Sequence, residues 1–108
     1  MAAIKSVKHV YKVGDTGPPL VFQHTDDNNA VIDITGWTIN FHLKRPTGSS
    51  ALTILAVLTD PANGVFTINF SAGDFVAGRD QLADVEFNTG SFIFHSPQFF
   101  IDVEAEIV

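Results

Sequence analysis

The sequence predicts an all-β domain of sandwich type. Three observations carry that reading. Apolar residues recur at every second position through most of the chain, turn-forming glycine and proline interrupt them at short intervals, and phenylalanine, valine and isoleucine dominate the apolar set. Ten phenylalanines in 108 residues favour pleated surfaces, because β-branched and aromatic side chains lose less freedom in a strand than against a helical turn.

The first expected strand runs from Val7 to Val13, with Val7, His9, Tyr11 and Val13 on one face and Lys8 and Lys12 on the other. Gly14 to Pro19 follows as an exposed turn-rich connection. Leu20 to His24 forms a second short strand, Thr25 to Asn29 a polar loop, and Ala30 to Ile34 a brief strand ended by Asp33-Ile34-Thr35-Gly36. Trp37 to Arg45 is the clearest strand, since Trp37, Ile39, Phe41 and Leu43 alternate strictly with Thr38, Asn40, His42 and Lys44. Pro46-Thr47-Gly48-Ser49-Ser50 closes it.

Ala51 to Leu58 is apolar on both faces, with Leu52, Ile54, Ala56 and Leu58 on one side and Leu55 and Val57 on the other. The run also fits two turns of helix, but its short length between turn signals favours one strand. In Asp60-Pro61-Ala62-Asn63-Gly64, proline sets φ early and glycine takes the left-handed position, so a turn is expected. Val65 to Phe70 then alternates again, with Phe66, Ile68 and Phe70 on one face. Ser71 is read as the cap of a short helical turn near Ala72 to Phe75. Gln81 to Asn88 is the next strand, with Ala83, Val85 and Phe87 inward and Asp84, Glu86 and Asn88 toward water. Thr89-Gly90-Ser91 connects it to a strand starting at Phe92 to His95 and broken near Pro97, which cannot donate to a ladder. Phe99, Ile101, Val103, Ala105 and Ile107 line one face of the last strand, with Asp102, Glu104 and Glu106 on the other.

Seven to eight short strands in this length suit an immunoglobulin-like two-sheet β-sandwich, with a small β-barrel as the alternative. No repeat or linker divides residues 1–108, so one domain is expected. The predicted core is Trp37, Ile39, Phe41, Leu43, Phe66, Ile68, Phe70, Val85 and Phe87. Lys8 and Lys12 on the first strand and Asp102, Glu104 and Glu106 on the last predict that the two ends of the chain are neighbours.

Several function classes fall away. The chain has no cysteine, which removes disulfides and thiolate chemistry. The N-terminus lacks a signal-peptide apolar run, and no stretch approaches the roughly 20 apolar residues of a membrane helix, so a soluble protein without membrane partners is expected. A net charge of −6 opposes nucleic-acid binding. His9, His24, His42 and His95 show no pair at ligand spacing and read as ordinary surface or partly buried side chains, so no metal or other cofactor is expected. Asp26-Asp27-Asn28-Asn29 lacks the alternate-position spacing of a calcium loop. Asp84, Glu86, Asp102 and Glu104 alternate with core residues and face water, and no serine sits in a nucleophile elbow, so no catalytic residue is assigned.

A carbohydrate-binding or host-recognition module is the competing class, since aromatic rings can stack on sugars. Ten of the twelve aromatics are phenylalanine, however, and Trp37 and Tyr11 fall on inward parities. Leu55, Val57, Ile93 and Phe100 lie opposite apolar neighbours, and both sides of such segments cannot face one small core. These four are therefore the expected protein-interface residues.

Three stretches together resemble a known pattern: Asp33-Ile34-Thr35-Gly36-Trp37-Thr38-Ile39-Asn40-Phe41, Asn63-Gly64-Val65-Phe66-Thr67-Ile68-Asn69-Phe70, and Ala77-Gly78 leading to Ala83-Asp84-Val85-Glu86-Phe87. They resemble the small immunoglobulin-like domains of tailed-phage structural proteins, in particular the N-terminal domain of baseplate upper proteins and related tail, neck and head-fibre anchoring domains. The likeness spans about Leu20 to Val108. It implies a non-catalytic virion component, made in the host cytoplasm, that docks onto other virion structural proteins as a homo-oligomer or in a symmetric assembly.

Overall fold

The computed structural model describes residues 9–46 and 50–105. Val7, Lys8, Thr47, Gly48, Ser49, Glu106 and Ile107, to which the sequence assigns strand, turn or charge roles, lie outside the described residues. The strands are β1 (His9–Lys12), β2 (Leu20–Gln23), β3 (Thr38–Leu43), β4 (Leu52–Leu55), β5 (Val57–Asp60), β6 (Val65–Ile68), β7 (Gly78–Asn88), β8 (Ile93–His95) and β9 (Phe99–Glu104). They form a two-sheet all-β sandwich. A six-stranded sheet has the order β1-β9-β7-β3-β4, with β8 also paired to β7, and a three-stranded sheet has the order β2-β6-β5. The larger sheet curls into a half-barrel over the smaller one.

The period-two pattern makes the core. Ile39, Phe41 and Leu43 of β3 and Ala83, Val85 and Phe87 of β7 are buried on the inner face, and their alternating neighbours point outward. Leu20, Phe66 and Ile68 of the smaller sheet are buried against them, as is Phe70 beyond β6. Rings join the layers: Phe66 meets Phe87 edge-on at 5.8 Å, and Phe22 meets Phe99 at 5.8 Å. Trp37 precedes β3 and is half-buried, packed edge-on against Phe87 and Phe94. Tyr11 and Phe75 stack at 4.4 Å and are both buried, with the Tyr11 hydroxyl donating to the Pro18 carbonyl.

The chain ends are neighbours. β1 lies beside β9 in a parallel ladder that places Lys12 opposite Glu104 and Val10 opposite Asp102. Serine continues the ladder where Pro97 would break it: Val85 N–H donates to Ser96 Oγ at 2.9 Å, and Ser96 N–H donates to the Val85 carbonyl at 2.8 Å.

Four sequence readings are corrected. Ala51 to Leu58 is not one strand. Ala56 N–H donates to Ile39 of the larger sheet, and the next residue, Val57, pairs with Thr67 of the smaller one, so the chain changes sheets at a buried alanine. Leu55 and Val57 therefore belong to different layers. Ala30 to Ile34 makes only an isolated bridge, Thr25 to Val31. Local bonds compete with the ladder there: Asp26 Oδ1 accepts from Asn28 N–H and Ala30 N–H, and Asp33 Oδ1 accepts from Thr35 N–H. Ser71 caps no helical turn. The segment closes as a hydrogen-bonded turn in which the Asp74 carboxylate accepts from Ser71 N–H at 2.6 Å and Asp74 N–H donates back to the Ser71 carbonyl. Finally, β7 begins at Gly78 rather than Gln81, through a register shift containing Asp80 at φ 52°. Asp80 N–H donates to Asp102 Oδ1 there.

Gly64 ends a short 3₁₀ turn over Pro61–Asn63 in the left-handed conformation, φ 73°. A Cβ at this position would stand 2.7 Å from the carbonyl oxygens of His24 and Ile32. Gly64→Ala is expected to destabilise by more than the about 1–2 kcal/mol of left-handed strain alone. At Gly90, φ 96°, a Cβ meets nothing within 4 Å, so Gly90→Ala should show only the strain; urea unfolding of both variants checks the difference. Phe87→Ala removes a fully buried ring and should lower the unfolding free energy by about 3–5 kcal/mol in the same assay.

Candidate docking surface and a polar cluster

The four sequence-derived contact residues are all exposed: Leu55 at 64%, Val57 at 51%, Ile93 at 62% and Phe100 at 43%. They do not share one face. Leu55, Ile93 and Phe100 stand on the outer side of the larger sheet, on β4, β8 and β9. Val57 stands on the outer side of the smaller sheet, where the register places Val21, Thr67 and Val57 in one cross-strand row. Val21 is also exposed, as are Val10 and Phe92 on the larger-sheet side of the molecule. Sequence reasoning missed Val21, because a lone valine opposite Leu20 and Phe22 is weak evidence until the strand beside it is known. Tyr11 is buried and offers no ring face for sugar stacking, and Trp37 is half-buried and packed edge-on among Phe87, Phe94 and His24.

The outer face of the larger sheet also carries a polar cluster that sequence spacing did not reveal. The register pairs His42 with Asp84 across β3 and β7, and Glu86 with His95 across β7 and β8. His42 Nδ1 lies 3.3 Å from Asp84 Oδ1, and His95 Nε2 lies 3.4 Å from Glu86 Oε2. His42 and Asp84 line a shallow groove with Lys44, Thr53, Leu82 and Gln98.

His24 differs from these. It is 2% exposed, lies 4.6 Å from the Phe87 ring, and its Nδ1 has no hydrogen-bond partner. Burial pushes its imidazole below the usual histidine range, and His9 shifts the same way for the same reason. Asp33, by contrast, is fully exposed, and the hydrogen bonds it accepts from Thr35 hold its carboxyl below the usual range.

The geometry thus offers two outward sheet faces with exposed apolar side chains and an acidic, imidazole-containing patch. The profile of one protein family, the BppU N-terminal domain, matches residues 7–108. The chain belongs to this family. BppU is the baseplate upper protein of phages, so this BppU N-terminal domain is a phage baseplate structural domain and is virion-associated. Membership also implies interaction with other virion proteins. No curated protein sequence matches the chain.

Burial of His24 makes the stability of the fold depend on pH. Unfolded, the imidazole takes up a proton near about pH 6.5, whereas the folded core resists it. The unfolded state then binds more protons, so His24 contributes its full stability above about pH 6.5 and loses it as pH falls toward the lower folded value. The melting temperature should be higher at about pH 7.5 than at about pH 5.5, and His24→Phe, which keeps the ring packing, should flatten that difference. Calorimetric melts of both proteins across this range check it.

Proposed function

We propose that this chain is a non-catalytic docking component of the virion, holding neighbouring tail or baseplate proteins, or further copies of itself, by shape and apolar complementarity. The observation that carries the reading is the placement of Leu55, Val57, Ile93 and Phe100 outside the core of a domain whose family belongs to the phage baseplate. A core of this size cannot cover both faces of each sheet, and exposed apolar side chains on two faces suit contact with more than one neighbour. Repetition of one contact in a symmetric particle multiplies its effect without new chemistry. The acidic balance, net charge −6, keeps the unassembled protein in solution and disfavours association with DNA.

The test uses aspartate at the contact positions. Leu55→Asp, Val57→Asp, Ile93→Asp and Phe100→Asp should each leave the melting temperature nearly unchanged, because these side chains already face water. At least one variant on each outer face should impair self-association in light scattering or incorporation into particles. Full assembly by all four variants would overturn the reading. Retention of a strictly monomeric protein on immobilised polysaccharide would favour the sugar-binding class instead.

A further inference from the structure

We propose that His42, Asp84 and His95 form a binding site for a divalent transition-metal ion, zinc above all, on the outer face of the larger sheet. The donor atoms of these three residues, one from each, all lie within 4.8 Å of one another. They come from three adjacent strands, β3, β7 and β8, whose register is set by main-chain pairing. Zinc bonds to nitrogen and carboxylate oxygen at about 2.0–2.2 Å, so tetrahedral donors stand about 3.3–3.5 Å apart. His42 Nδ1 and Asp84 Oδ1, 3.3 Å apart, already stand at that spacing, and the widest separation must close by about 1–1.5 Å to reach it. The imidazoles of His42 and His95 are 35% and 48% exposed, so small side-chain rotations into solvent-accessible space achieve this without moving a strand.

The donor set selects the ion. Two imidazoles and one carboxylate suit zinc and its borderline neighbours, whereas calcium and magnesium favour all-oxygen sites. Glu86, with Oε2 3.4 Å from His95 Nε2, is the nearest further donor. Asp84 and Glu86 also stand two residues apart on one strand face, so two like charges meet there, and a dication between the imidazoles relieves their repulsion. Lys44 lines the groove with His42 and Asp84 and brings one positive charge, less than a dication supplies.

A bound ion would have a structural effect. β8 pairs with β7 through only three residues, Ile93, Phe94 and His95, extended by the Ser96–Val85 hydrogen bonds, and a metal shared by His42 and His95 ties this short strand to β3 across β7. Ile93, which stands outward beside His95 on the same strand, is then held more firmly. The proposal is independent of what Ile93 contacts.

Isothermal titration of zinc chloride into the tag-free, chelator-treated full chain at about pH 7.5 tests the site. One ion per chain is expected, with an upward melting shift that EDTA reverses. His42→Ala, His95→Ala and Asp84→Asn should each weaken binding by at least about tenfold. His9→Ala and His24→Phe should leave it unchanged. Far-UV circular dichroism verifies that each variant folds, and His95→Gln replaces any alanine variant that does not. No binding up to about 1 mM zinc would overturn the proposal and leave two imidazole–carboxylate pairs. Binding kept at full strength by a His42→Ala/His95→Ala double variant would overturn it equally.

Discussion

Main-chain pairing of β3 with β7, from Thr38 opposite Asn88 to Leu43 opposite Ala83, sets both faces of the larger sheet at once. Inward it presents Ile39, Phe41, Leu43, Ala83, Val85 and Phe87, all buried. Outward it presents Asn40, His42, Asp84 and Glu86. Side chains alternate with a period of two, so a slip of one residue would carry the phenylalanines into water and the carboxylates into the core. The hydrophobic penalty for that exchange is what holds the register, and the register in turn brings His42 to Asp84. The core and the polar cluster are two consequences of one ladder.

The aromatic side chains convert that ladder into a two-layer body. Phe87 touches rings from the smaller sheet at Phe66, from the β2 end at His24, and from β8 at Phe94, where the two rings stack at 5.1 Å. Large flat side chains bury much area with few torsions to fix. That suits a chain with no disulfide, where packing alone offsets the conformational entropy lost on folding. His24 belongs to this ring cluster as an aromatic filler, and the unpartnered Nδ1 makes it the polar exception within it.

The sheet change at Ala56 distributes the exposed apolar residues. Because the backbone passes from Ile39 of one layer to Thr67 of the other within two residues, Leu55 and Val57 both point away from the interior, on opposite outer faces. A continuous strand would have put them together on one side. The proposed docking function consequently involves two surfaces rather than one patch, which fits a structural domain of a multi-protein baseplate more readily than a single ligand site.

The alternation of Trp37 to Leu43, Val65 to Phe70 and Ala83 to Phe87 was enough to assign the fold class and the buried faces, because the face a side chain takes depends on local backbone geometry that sequence parity reports directly. The Asp60–Gly64 turn was legible for the same reason. The contact between the first and last strands was foreseeable from their charges, but not that the ladder is parallel. The break at Ala56, the register shift before Gln81, and the meeting of His42 with His95 were decided only by tertiary structure. Each depends on which distant strand lies alongside, and that choice minimises the energy of the whole sandwich; no local signal in one strand encodes the identity of its neighbour.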